Sequence, residues 1–190
     1  MTIVALMPAQ FLTAGDYAAL GEDEQGRTEL MEGNLVMSPS PTPDHNVGML
    51  RLVFQLQPQL PSRYECIPDI DVDLQLAAPD APGTVRRPDL VVADRRARRR
   101  VRAEGGLLRA SDLLVVVEIL SPGSQRIDRL VKRAEYADAG IVHYWIVDQE
   151  QHSLTAHRLV DTQFQADDPA VGSFRTDTPF PVTLDLADLE

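Results

Sequence analysis

A chain of 190 residues, 44% of them hydrophobic, is long enough for one domain that buries roughly 70% of the surface its unfolded form would expose. A single cysteine, Cys66, excludes an internal disulfide and a cysteine-rich zinc site and points to a reducing cytoplasm; no stretch approaches the ~18 apolar residues of a membrane span, and the opening "MTIVALMPAQF" lacks the positive region of a signal peptide. The formal net charge of -11 argues against broad electrostatic attraction to nucleic acid, although "RRARRRVR" at 95–102 gathers six arginines.

Taken in chain order, Thr13 to Leu20 predicts an entry helix before the polar break "GEDEQG". "TELMEGNLVMS" reads as a hairpin turning at Gly33-Asn34, and "SPSPTPD" as a surface connection. Asp44 is expected to cap the next helix, in which Val47, Leu50, Val53 and Phe54 recur at helical spacing up to about Gln57; Pro58 and Pro61 end it. "DIDVDLQL" alternates cleanly, so Ile70, Val72, Leu74 and Leu76 share one face of a half-buried strand and Asp69, Asp71, Asp73 and Gln75 the wet one. "PDLVVAD" at 88–94 is a short apolar strand. The arginine run after it reads as an exposed loop, a solvated face being favoured over a phosphate-contacting patch of Arg98, Arg99 and Arg100.

A Gly105-Gly106 turn leads to the apolar run Leu113 to Leu120, the pattern of a strand covered on both faces at a sheet centre. Ser124 suits the N-cap of a helix whose apolar stripe is Ile127, Leu130, Val131, Ala134 and Ala137, closed by Gly140. "VHYWIVD" is the next strand, with Tyr144 and Trp145 as core aromatics, so 113–148 forms a β-α-β unit with parallel strands. The tail from His152 alternates weakly and adds a hairpin at one edge. The fold class is α/β, or α+β with a mixed sheet, in one domain over 1–190.

One residue breaks the apolar run: Glu118. An unpaired ionised carboxylate in a buried strand costs several kcal/mol, so it must be protonated, paired with a cation, or bound to a metal. Asp89 opens the strand "PDLVVAD" and Glu118 lies near the end of the apolar one, so the two carboxylates can converge at one sheet edge, the kind of oxygen pair that holds Mg²⁺. Lys132 is the only lysine beside seventeen arginines. An ammonium is a compact charge able to act as a point charge or general base. Asp128, Lys132 and Tyr136 fall at four-residue spacing, one stripe beside the helix's apolar face; a plain Asp128–Lys132 surface pair explains that spacing as well as a functional role does.

The segments "RRPDLVVAD", "LVVVEILSPGS" and "DRLVKRAEYADAGIVHYWIVD" together resemble the Uma-two family of restriction-endonuclease-like proteins, within the PD-(D/E)XK nuclease-like superfamily; the resemblance extends through "FLTAGDYAAL", "TELMEGNLVMSPSPTPDHN" and "VTLDLADL". It implies a restriction-endonuclease-like core, a central mixed β-sheet flanked by helices with N- and C-terminal hairpins, and a metal-dependent nuclease using Mg²⁺ (or Mn²⁺) on nucleic acid, DNA above RNA. Asp89 and Glu118 match the motif's metal-binding acids. The motif lysine belongs two residues after Glu118, where this chain has Leu120, and Lys132 looks like its migrated replacement. A non-catalytic nucleic-acid- or protein-binding member of the same fold is the alternative, and a homodimer is expected because enzymes that cut both strands are often dimeric.

His45, which the resemblance also places at a helix start, reads either as an exposed histidine, the preferred reading, or as a group approaching the site. Glu29 and Glu32 are preferred as solvated hairpin glutamates, with one of them as an extra metal ligand in the other reading. The aspartates of "DIDVDLQLAAPD" lack the glycine and closing glutamate of a calcium loop, and no G-x-S-x-G elbow supports a serine hydrolase.

Overall fold

The computed structural model describes residues 11–20, 28–38, 40–120 and 127–189, the last with side chains from 130 onward. Ser124 and the Asp128 side chain lie outside the described residues. The elements in chain order are α1 (Ala14–Leu20), β1 (Thr28–Met31), β2 (Asn34–Met37), α2 (Pro43–Leu56), β3 (Tyr64–Pro68), β4 (Val72–Asp73), β5 (Val85–Arg86), β6 (Leu90–Asp94), α3 (Arg95–Glu104), β7 (Leu108–Arg109) and β8 (Leu113–Ile119). A π-helical turn (Ile127–Lys132) runs into α4 (Arg133–Asp138), followed by β9 (His143–Asp148), β10 (Ser153–Val160), β11 (Gln163–Ala166), β12 (Ala170–Val171), β13 (Ser173–Thr176) and β14 (Val182–Asp185).

The central sheet has the order β11-β10-β9-β8-β6-β3 and is mixed: β8 and β9 are parallel, the other neighbours antiparallel. A second sheet, β2-β1-β5-β4-β7, carries the N-terminal hairpin. β8 is apolar on both faces because both are covered. Val115, Val117 and Ile119 pack with α2 (Leu52, Leu56), Trp145 and the C-terminal Phe174, Phe180, Val182 and Leu184. Val116 and Leu120 face the opposite cluster with Tyr136, Ile141, Tyr144 and Phe164. Among the described residues no helix is long and apolar enough to cross a membrane.

Several local expectations change. The hairpin turns at Glu32-Gly33, with Met31 paired to Asn34 and both turn residues at positive φ (48° and 80°), one residue earlier than expected. Thr42, not Asp44, caps α2, its hydroxyl accepting from the His45 amide at 3.2 Å with Pro43 opening the helix. α2 buries His45, Gly48, Leu52 and Leu56 and leaves Val47, Leu50 and Phe54 exposed. Gly48 sets that face: a Cβ there would lie 2.6 Å from the Leu189 carbonyl and collide with the Gln149 side chain, so only glycine permits this approach.

"DIDVDLQL" yields only the two-residue β4, because Asp69 and Gln75 adopt positive φ (49° and 55°) and interrupt the alternation; Asp71 pairs with Arg87 instead of facing water. The arginine run is helix α3. Arginine is a good helix former, Asp94 caps the start by accepting from the Arg96 amide at 2.8 Å, and Ala97 and Val101 anchor one face to the core. On the segment after β8, Leu130 and Val131 are exposed while Lys132 and Tyr136 are buried, the reverse of the expected stripe. A π turn advances the chain by a wider step than 3.6 residues, which rotates the following residues to another face.

Candidate active site

The antiparallel register of β6 and β8 sets Leu90 opposite Val117, so Asp89, one residue before β6, falls across from Glu118. The Ile119 amide donates to Asp89 Oδ2 at 2.7 Å, tying the two strand ends together. Glu118 is 2% exposed. Its Oε1 accepts from the Lys132 ammonium at 2.9 Å and from the Tyr136 hydroxyl at 2.7 Å. Burial is therefore answered by a cation and a phenol on consecutive turns of the segment that follows β8. Leu120, at the motif lysine's expected position, is packed in the core cluster with Tyr136.

His45 is buried in the first turn of α2, and its Nε2 lies 3.1 Å from Asp89 Oδ1. The Thr42 cap starts the helix at the place that aims His45 there, which the exposed reading did not foresee. Glu32 stands exposed at the hairpin turn, with no side-chain hydrogen bond or ion pair to the cluster among the described residues. Glu29, three residues earlier in β1, is the hairpin glutamate that reaches it: its Oε1 accepts from the Arg87 amide at 2.9 Å and lies 3.4 Å from Lys132 Nζ, and its Oε2 accepts from Arg86 Nη1 at 2.9 Å. Arg86 and Glu135 also belong to the network, joined by two hydrogen bonds of 2.6 Å. Sequence reasoning passed over both; the one available signal was that Arg86 stands three residues before Asp89 and Glu135 three after Lys132.

Burial pushes the Glu29 carboxyl up, but the Lys132 charge, the Arg87 amide and the Arg86 guanidinium outweigh it and hold the group below its ordinary value. Asp89 behaves alike, burial being outweighed by His45, the Ile119 amide and Lys132. Tyr136 is raised well above 10, first by burial and then by the Glu118 charge, so its hydroxyl remains a proton donor to that carboxylate.

Among the described residues no group of three or more His, Cys, Asp or Glu side chains forms a metal cage. Mg²⁺ needs less, taking one or two carboxylates and keeping several waters. The donor set fits it: Asp89 and Glu118 bring hard carboxylate oxygens to facing strand ends, with the carboxylates of Glu29 and Glu135 close behind, on Lys132 and Arg86.

The arginines of α3 stand at the far end of β6 from Asp89. Arg98 donates to Glu65 at 2.5 Å and Arg100 pairs with Asp112 at 2.9 Å, whereas Arg96, Arg99 and Arg102 are exposed, with no ion pair among the described residues. Residues 14–187 match the family model described as "Uma2: Putative restriction endonuclease". No curated protein matches the chain. A solved structure titled as a putative nuclease belonging to DUF820, from Anabaena variabilis, is similar over 94% of this chain and 97% of its own, with a TM-score of 0.68 and 18% identity, a likeness of fold.

Proposed function

Because the chain belongs to the Uma2 family, we propose that it is a divalent-metal-dependent nuclease that hydrolyses phosphodiester bonds, with duplex DNA as its substrate. The observation that supports this most is the Lys132 ammonium 2.9 Å from the buried Glu118 carboxylate, on the strand end that faces Asp89. Asp89 and Glu118 would hold Mg²⁺ or Mn²⁺, which supplies Lewis-acid polarisation of the phosphate and a more acidic bound water.

The protein's own groups do the rest. His45 and the Ile119 amide each fix one oxygen of Asp89, so that carboxylate is held in place before substrate arrives. Tyr136 holds Glu118 Oε1 from the core side. Lys132 hydrogen-bonds the attacking water and offsets the negative charge that grows on the phosphate oxygens, the task the motif lysine would perform from position 120. Phosphate contact away from the site falls to Arg96, Arg99 and Arg102, since acids already neutralise Arg98 and Arg100. A homodimer in a reducing cytoplasm completes the proposal, because cutting both strands calls for two such sites.

The expected outcome is Mg²⁺-dependent nicking of duplex DNA by the purified protein, abolished by EDTA and by Glu118→Ala or Lys132→Met with near-UV circular dichroism retained. Leu120 in place of a strand lysine and the net charge of -11 favour the second reading, a non-catalytic binder on the same fold. Metal-independent, salt-sensitive DNA binding without any cleavage would establish that one instead.

A further inference from the structure

Arg86 is 2% exposed in β5 and grips two carboxylates from different elements. Its Nε and Nη2 donate to Glu135 Oε2 and Oε1 at 2.6 Å each, and its Nη1 donates to Glu29 Oε2 at 2.9 Å. A guanidinium presents its donors in a rigid planar fork, so one side chain can hold Glu135 in bidentate fashion and still reach Glu29. With the Arg87 amide on Glu29 Oε1, both oxygens of Glu29 are fixed.

Lys132 stands between two carboxylates: 2.9 Å from Glu118 and 3.4 Å from Glu29. In a poorly screened interior such a contest depends steeply on distance. Glu29, released from Arg86, could close on Lys132 and draw the ammonium away from Glu118. Glu135 lies three residues after Lys132, on the same helical segment, so the Arg86–Glu135 pair also anchors the turn that carries the ammonium.

We infer that Arg86 is a positioning residue: by drawing Glu29 to one side and tethering α4 through Glu135, it directs the Lys132 ammonium onto Glu118. Its consequence for turnover rests on the nuclease reading, while the placement of the ammonium does not.

The test uses the fact that Lys132 is the only lysine, so protein labelled with ¹³C,¹⁵N-lysine gives one side-chain signal in a nuclear magnetic resonance spectrum. Arg86→Gln and Glu135→Gln, both checked for folding by near-UV circular dichroism, are each expected to shift that signal. Mg²⁺-dependent kcat is expected to fall about ten- to a hundredfold in Arg86→Gln, with KM little changed. An unmoved Lys132 signal in the folded variants, whatever happens to their melting temperatures, makes Arg86 a mere clamp and overturns the inference. Should Arg86→Gln fail to fold, Glu135→Gln, which contacts neither Lys132 nor Glu118 through any described hydrogen bond, decides by the same signal. A wild-type protein that does not cleave would sink the nuclease reading, and the Lys132 signal would still decide the role of Arg86.

Discussion

Asp89 and Asp94 flank the same strand, β6, and each is held by one backbone amide and one nitrogenous side chain. Asp89 has the Ile119 amide at 2.7 Å and His45 Nε2 at 3.1 Å; Asp94 has the Arg96 amide at 2.8 Å and Arg63 Nε at 2.7 Å. Both carboxyls are held below their ordinary value, Asp89 in spite of burial and Asp94 by the Arg96 amide and Arg63. What differs is the surroundings. Asp94 meets an arginine whose side chain is 62% exposed, so the pair is a helix cap with a screened neighbour. Asp89 sits beside the buried Glu118, Lys132 and Glu29, where any lost partner leaves a charge that water cannot solvate. Similar local bonding gives a helix cap at one end of a strand and a buried charge network at the other, and the burial of the surrounding groups makes the difference.

The sharpest way to break that contrast is to remove one cation at each end. Lys132→Met leaves Glu118 and Glu29 short of a buried partner and is expected to cost about 3–5 kcal/mol in a urea melt. Arg63→Met, which strips Asp94 of its exposed partner, is expected to leave the urea midpoint unmoved. Equal midpoints for the two variants would show that the buried network is no more demanding than the surface pair.

Next in size is the response to pH. Asp89 and Glu29 have depressed folded values, so their stabilisation is present above the ordinary carboxylate range near pH 4 and is lost as pH falls through those folded values. Tyr136 is raised, so its contribution is complete below about pH 10 and is lost as pH climbs beyond. Urea midpoints against pH should fall on both sides, and the acid limb should be shallower in Lys132→Met because that charge helps hold both carboxyls down. An acid limb of the same depth in the two proteins would remove Lys132 from the linkage.

The arginine helix gives a smaller effect. Replacing Arg96, Arg99 and Arg102 together by Gln should flatten the slope of log DNA affinity against log salt by about 2 to 3, whereas replacing the acid-paired Arg98 and Arg100 should change it less. Equal slopes would return α3 to a solvated face. Smallest of all, Asp94→Ala should cost about 1 kcal/mol as a lost cap and leave cleavage untouched.

Legibility followed range along the chain. The apolar run of β8, the anomaly of Glu118 inside it, the "PD" that opens β6, the parallel β8–β9 unit and the single lysine were all readable, because each is a contrast between a residue and its immediate neighbours. The burial of His45, the preference for Glu29 over Glu32, and the roles of Arg86 and Glu135 were not. His45 takes its position from a cap three residues back and from Asp89 far along the chain; Glu29 is chosen by Arg86 and the Arg87 amide, more than fifty residues away. The face that α2 buries was hidden for a related reason, since Gly48 meets Leu189 and Gln149 from the other end of the molecule.

The sequence by itself determined the central strands β6, β8 and β9, the family to which they belong, and that Glu118 must be protonated, paired or metal-bound, because strand periodicity and the cost of an unpaired buried carboxylate are local matters. Only the tertiary structure decided which cation answers that need and what holds it there. Lys132, Glu29, Arg86 and Glu118 come from four separate segments, and the strength of a charge pair depends on distance through space and on the exclusion of water, neither of which any one segment contains.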